Sequence, residues 1–436
     1  MGEIFLQFAR NAYLCRMKKA QILRSVLLVW AMLTGVLSAS GQDTTRVSLI
    51  TCSPGTEIYE LYGHTALRCQ RGEADYAFNF GAFDFNQPNF AGRFVMGKCD
   101  YMVEAIPWSR FMAEYRYFGR QVTEQELNLT QPEAEALLQD LLTNLQPENR
   151  VYRYNFLTNN CTTRVRDVIE AAVQGEVEYP SEEEYTKGQG LTHRQMLHVF
   201  NHVDPWSMEG CDILLAADVD TLLNEREAMC LPVYFERYVE GAMIRSDATK
   251  ANNVRPLVRQ TNILVPMGAQ PAPVDENEPL KTMLLVLGGF VLLAVLERLV
   301  HWHFWLVDAL LLTAQGIVGL LLLFMMLVSE HPGVHHNWLI LLFHPFALWG
   351  AYKVVRAALR KQKTGWHAAN FTFLIVFLAF SPWMPQDFGK IIVPLALILL
   401  TRPASWLISY GKPDKWTSET KEKPKRKRKK GDAGKE

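Results

Sequence analysis

Tyr154-Asn-Phe-Leu-Thr-Asn-Asn-Cys161-Thr-Thr-Arg-Val-Arg-Asp-Val-Ile-Glu170 changes character at its midpoint. Up to Cys161 the stretch is polar and loop-like. Beyond it Val165, Val168 and Ile169 fall at helical spacing on one face. The switch puts a thiol at the N-terminus of an amphipathic helix, where unpaired backbone amides and the helix dipole favour thiolate over thiol and offer donors to an oxyanion. A lone cysteine is more often a small, buried, inert hydrophobe. The Asn-Asn and Thr-Thr flanks are too polar for a core position, which makes Cys161 a candidate nucleophile.

Upstream, Arg46 to Thr51 (RVSLIT) reads as a strand, and Glu57 to Arg68 (EIYELYGHTALR) as a short helix or turn running into another. Asp75 to Gly81 (DYAFNFG) has the alternation and aromatic content of a further strand. His64 directly follows Gly63, where backbone can approach closely, and Asn79 on the next strand is placed to orient its ring. A thiol at a helix start and a histidine near a strand, distant in sequence, is the pairing that cysteine nucleophilic catalysis needs. His193, His198 and His202 share one amphipathic segment and read as surface or rim residues. His301, His303, His331, His335, His336, His344 and His367 lie at membrane boundaries, where polar side chains commonly serve as anchors. The loop His331 to Asn337 falls on the same side as the first domain and is a candidate to contact a lipid head group.

Whole-chain averages conceal a division. The 436 residues carry 45 basic and 45 acidic side chains, a formal charge of zero that describes no single region. Met17-Lys18-Lys19 and Arg24 precede an apolar run from Ser25 to Leu37 that ends in Ser38-Ala39-Ser40, the pattern of a signal segment. That run is shorter than the roughly 20 residues a span needs, although an uncleaved first membrane segment remains the alternative for residues 1–40. No cysteine follows the cleavage-type site, so the chain is not itself a lipoprotein. Residues 43–266 read as an exported domain without a span, residues 267–279 as a Pro-rich linker and residues 411–436 as a basic tail.

Between linker and tail, residues 280–410 hold about five apolar stretches: Leu280 to Leu296, Phe304 to Val328, Trp338 to Val354, Asn370 to Trp383 and Ile391 to Tyr410. Pro382, Pro385, Pro394 and Pro403 interrupt the last two. Arg356, Arg360, Lys361 and Lys363 fall between the third and fourth stretches, and the tail is nearly unbroken in base from Lys423 to Lys430. Cytoplasmic loops are enriched in Lys and Arg, and five spans starting from an exported domain put both segments inside. A polybasic run just inside a span is attracted to anionic lipid, so no nucleic-acid partner is expected. Among the seven cysteines, Cys211 and Cys230 are plausible disulfide partners in an exported segment. No CxxC or Cys/His spacing suggests a zinc site, and no metal or cofactor is assigned.

YGHTALR around His64, YAFNFGAFDF from Tyr76 to Phe85 and FLTNNCTTRVRD around Cys161 together resemble the Lnb family of Bacteroides-type lipoprotein N-acyltransferases. The resemblance covers nearly the whole mature chain. It implies an α+β, permuted papain-like (NlpC-type) periplasmic domain in which His precedes Cys, followed by an all-α multi-span transmembrane domain in the bacterial inner membrane. It carries the catalytic pair onto Cys161 and His64, with either Asn79 or Asp84 as the orienting residue; Tyr62, Tyr154 and Asn160 are the candidates to bind substrate. The activity implied is transfer of an acyl chain from a phospholipid to the α-amine of a diacylated lipoprotein's N-terminal cysteine. The residue chemistry agrees, because a thiolate that attacks an ester gives a thioester, and an α-amine with pKa near 8 aminolyses thioesters readily.

Two other readings stand beside this one. The same pair could serve a membrane-anchored thiol hydrolase, either phospholipase or cell-wall peptidase, although a peptidase has little use for five spans. A non-catalytic membrane assembly or transport protein would be favoured by buried charge within the spans, for which Asp308 and Gln315 are the main polar candidates.

Overall fold

The computed structural model describes residues 44–410 except 56, 58, 59, 84–87, 182, 184, 185, 187–189, 202, 247–253 and 270–273. The signal-like segment, Cys15, Asp84, His202 and the basic tail lie outside the described residues. The described residues form two compact units: one within 44–277 with 322–338 and 385–387, the other within 278–321 with 339–384 and 388–410.

The first unit is built on a seven-stranded antiparallel sheet of order β10-β5-β1-β2-β3-β4-β6. Its strands are β1 (Arg46–Cys52), β2 (His64–Arg71), β3 (Ala74–Ala82), β4 (Asp100–Pro107), β5 (Val122–Leu127), β6 (Val151–Arg153) and β10 (Val258–Val265). A small second sheet joins β7 (Glu176–Glu178), β8 (Met243–Arg245) and β9 (Val254–Pro256). The central strand β1 is buried at every position after Arg46 because both faces of the sheet are covered. Its alternation divides the core in two: Val47 and Leu49 pack with Leu67, Phe78 and Phe80, whereas Ile50 and Cys52 pack with Ala66, Ala77, Phe111 and Met112.

Among the described residues this unit has the α-helices α1 (Phe90–Val95), α2 (Trp108–Phe118), α3 (Gln131–Asn144), α4 (Cys161–Ala172), α5 (His193–Asn201), α6 (Pro205–Leu214), α7 (Glu225–Ala228) and α8 (Pro232–Glu240). Helix α2 supplies Phe111, Met112 and Tyr115 to the core that holds Ile50 and Cys52. Helices α3 and α4 bury Leu137, Leu141, Val165 and Ile169 in the other core, and α4 packs on β2 and β3. The Val165/Val168/Ile169 stripe predicted from the sequence is this buried face.

Residues 329–337 belong to the same unit, and their polar groups are already engaged there. Ser329 donates to Val95 O, His331 Nε2 sits 2.7 Å from Phe94 O, and Glu330 pairs with Lys98 and Arg153. His336 meets Asp218 at 2.6 Å, and Asn337 donates to Ile213 O. The loop that is a candidate to contact a lipid head group makes these intramolecular contacts, with His335 and His336 still exposed.

Among the described residues the second unit is helical: α9 (Glu278–Val300), α10 (Trp305–Leu327, whose end falls in the first unit), α11 (Ala347–Leu359), α12 (Trp366–Phe380) and α13 (Ile392–Tyr410). Among the described residues three helices are long and apolar enough to cross a membrane: Glu278–Val300, Trp305–Leu327 and Ile392–Ser409. The third and fourth apolar stretches of the sequence shift register. A 3₁₀ turn covers Trp338–Leu341 and the helix begins only after Pro345, while α12 ends in a 3₁₀ turn at Pro382.

Candidate active site

Cys161 is the first residue of α4, and the loop before it is built to start a helix. Asn160 takes the N-cap: its Oδ1 accepts from Thr162 N at 2.8 Å and Thr163 N at 2.9 Å, while Thr163 Oγ1 accepts from Asn160 N. The other end of the Asn160 amide donates to Phe156 O and Cys230 O. Every polar group of this buried side chain is committed, so Asn160 caps the helix and is not free to bind substrate, a correction to the sequence reading. The cap consumes two amides of the first turn, which places the thiol in the field of a fixed helix terminus.

His64 arrives from the other direction as the first residue of β2. The turn that delivers it is held by Arg120, whose Nε and Nη2 donate to Ser53 O and whose Nη1 pairs with Glu60 at 3.0 Å. Gly63 adopts φ 77°, and a Cβ there would lie 2.5 Å from Cys52 O, so both conformation and space demand glycine. Strand and helix are tied by Thr65 Oγ1 and Thr162 Oγ1 at 3.1 Å, one residue beyond each member of the pair.

Asn79 on β3 sits 2.7 Å from His64 Nε2 through its Oδ1. Two further bonds fix which way the amide faces: Oδ1 also accepts from Gly81 N at 2.8 Å, and Nδ2 donates to Glu104 Oε1 at 3.3 Å. An oxygen toward the ring requires the proton on Nε2, leaving Nδ1 to exchange a proton with the thiol. Gly81 also makes room, since a Cβ there would lie 2.7 Å from His64 Cε1.

Electrostatics separate Cys161 from the other thiols. Burial alone would raise its pKa, but the His64 imidazole, the Thr65 amide and the Thr162 hydroxyl outweigh burial and hold the thiol below its ordinary value. For His64 burial pulls the imidazole down, and the charge and hydrogen bond of Cys161 together with Asn79 bring it above its ordinary value. Burial pushes Cys52 and Cys230 up to about 12 and raises Cys69, Cys99 and Cys211 as well. Cys211 and Cys230, plausible disulfide partners by sequence, are both free thiols in this structure.

Four tyrosines gather around the pair. Tyr101, Tyr152 and Tyr154 are close enough to feel the Cys161 charge, and Tyr154 also feels Tyr62. Tyr154 stacks on Tyr101 at 4.0 Å, Tyr62 donates to Asn201 Oδ1 at 3.1 Å, and Tyr152 donates to Phe80 O. Tyr154 therefore lies near the thiol and Tyr62 lies near Tyr154; both are residues the sequence offers as candidates to bind substrate. Tyr101, Tyr152, Glu104 and Gly81 went unnoticed there, because only strand pairing brings them in. His198 is paired with Asp212 at 2.9 Å.

This arrangement can form a thiolate–imidazolium pair, with a helix terminus behind the sulfur and an aromatic surround, a geometry suited to nucleophilic chemistry at sulfur. Residues 38–195 match the family model of the Lnb N-terminal periplasmic domain, and residues 274–413 match that of the Lnb transmembrane domain. No curated protein and no solved structure matches the chain.

Proposed function

We propose, from the premise that the chain belongs to the Lnb family, that it is a lipoprotein N-acyltransferase of the bacterial inner membrane, with Cys161 as nucleophile, His64 as base and Asn79 as the residue that orients His64. Cys161 attacks the ester carbonyl of a phospholipid, and His64 passes its proton to the departing lysophospholipid oxygen. A thioester on Cys161 and a lysophospholipid result. The neutral α-amine of a diacylated lipoprotein's N-terminal cysteine then attacks the thioester, His64 takes the amine proton and returns it to the leaving thiolate, and an amide is formed.

The observation that carries this reading is that Cys161 alone among the described thiols is held below its ordinary pKa, by a histidine on an adjacent strand, in a chain that also has apolar helices long enough to cross a membrane. Both substrates are anchored in the bilayer, so a site tethered at its surface raises their effective concentration and limits competing hydrolysis. A cysteine at a helix start against an antiparallel sheet that carries the histidine, with His before Cys in the chain, supports a permuted papain-like relationship. Basic residues between α11 and α12 and in the tail support five spans with the thiol-bearing unit outside, in the periplasm.

The test is the intact mass of purified protein incubated with phospholipid vesicles and no acceptor. A long-chain acyl adduct on Cys161, absent from Cys161→Ala and discharged by a diacylated lipopeptide amine, is expected. Absence of any adduct under conditions that support transfer would remove the thioester from the reaction.

A further inference from the structure

Five polar side chains converge inside the helical unit, on four helices and one connection. Glu297 on α9, Asp308 on α10, His367 on α12 and Arg402 on α13 are each at most 3% exposed, and His303 lies between α9 and α10. Charge within such helices is costly and demands compensation. Two carboxylates face one guanidinium: Arg402 Nε meets Asp308 Oδ1 at 2.6 Å and Arg402 Nη2 meets Glu297 Oε1 at 2.5 Å. One negative charge remains, which either His303, 2.6 Å from Asp308 and 3.3 Å from Glu297, or a further cation can balance.

We propose that this cation is a divalent transition metal of the zinc class, held by His303 Nε2, Asp308 Oδ2 and His367 Nε2. One ligand atom from each of the three residues lies within 4.8 Å of the others, and bonds of roughly 2.0–2.1 Å would draw them together around one ion. Two imidazole nitrogens and one carboxylate oxygen suit zinc, cobalt or iron(II) and not calcium or magnesium.

The surroundings have the form of an outer shell. A metal-ligating histidine usually turns its second ring nitrogen to a carboxylate, which fixes the tautomer. His303 Nδ1 lies 3.3 Å from Glu297 Oε1. Glu297 is itself pinned by Phe304 N, by Ser405 Oγ at 2.7 Å and by Arg402. Arg402 occupies one oxygen of Asp308 and leaves the other toward the two rings.

His367 decides between a metal site and a simple ion-pair clamp. A clamp has no use for it: its Nε2 is 3.7 Å from Asp308 Oδ2, too far for a hydrogen bond, and it is stacked on Trp406 at 4.7 Å between ring centroids. That gap is near the separation of two ligands on one ion. His303 Nε2, at 2.6 Å from Asp308 Oδ2, must withdraw by about 0.7 Å to admit the metal in a tetrahedral site. His303 and Asp308 are five residues apart, but His367 is far from both in the chain, so sequence spacing gives no sign of such a site.

The experiment uses full-length protein in detergent, carrying Cys161→Ala so that the reactive thiol does not compete for metal. After chelator treatment it is titrated with Co(II). One equivalent with a visible d–d band, displaced by Zn(II), is expected, together with at least a tenfold loss of affinity in His367→Gln. His367→Gln leaves every ion pair to Arg402 intact, so unchanged affinity in that variant overturns the proposal, as does absence of the band in the parent. Zinc X-ray absorption on the loaded parent needs no further variant: scattering from two imidazoles without sulfur is expected, and a sulfur shell overturns it.

Discussion

Gly81→Ala is the most economical test of how the site is held. The added methyl falls 2.7 Å from His64 Cε1, 3.3 Å from His64 Nδ1 and 3.1 Å from Asn79 Oδ1. Ordinary contact begins near 3.4 Å, so the ring or the strand must yield by about 0.7 Å. The ring is not a free side-chain end, being fixed by Asn79 on one side and Cys161 on the other. Displacement of a reacting group by about 1 Å can cost on the order of a hundredfold in rate. A 10- to 100-fold fall in acyl transfer is therefore expected, about 1.4–2.8 kcal/mol in barrier, with little change in melting temperature, because Gly81 is not in the left-handed region where alanine is strained. The assays are lipopeptide acylation followed by mass and thermal unfolding followed by circular dichroism. Full activity in a folded Gly81→Ala protein would show that His64 does not depend on its position against β3.

Three further outcomes are open to measurement. Because the Cys161 pKa is lowered, its alkylation by iodoacetamide should persist at pH values below the ordinary thiol range and fall only as the thiolate is protonated; His64→Ala should move the profile up, and an unmoved profile would dissociate the two residues. Asn160→Ala removes a cap and strands the amides of Thr162 and Thr163 together with two carbonyls, so a loss of about 2 kcal/mol or more in stability is expected, read as a lower denaturant midpoint with unchanged slope. Cysteine labelling in the 267–279 linker and after residue 411 should occur from opposite faces of the membrane, whereas labelling of both from one face would rule out five spans.

Much of the site was legible because it sits where sequence pattern changes. Cys161 marks the step from polar loop to helical periodicity, and His64 marks the step from a glycine turn to a strand; both steps are local. What was missed comes from pairing at a distance. Glu104 lies across the ladder from Asn79, and Gly81 earns its place only once the His64 ring is laid over it. Asn160 was misread because a polar residue beside a nucleophile looks the same in sequence whether it caps a helix or contacts a ligand. In the helical unit hydropathy located the apolar stretches but not their ends, since Pro345 and Pro382 set the limits of α11 and α12. Asp308 was noticed as a polar residue in an apolar run, but Glu297, Arg402 and His367 meet it only through helix packing.

The central claim is tested most directly by the mass of a lipoprotein's N-terminal peptide from cells in which Cys161→Ala is the only copy of the protein. A diacyl peptide with a free α-amine is expected, against the triacyl form in cells carrying the unaltered chain. Triacyl peptide in the Cys161→Ala cells would contradict the assignment of Cys161 as the nucleophile.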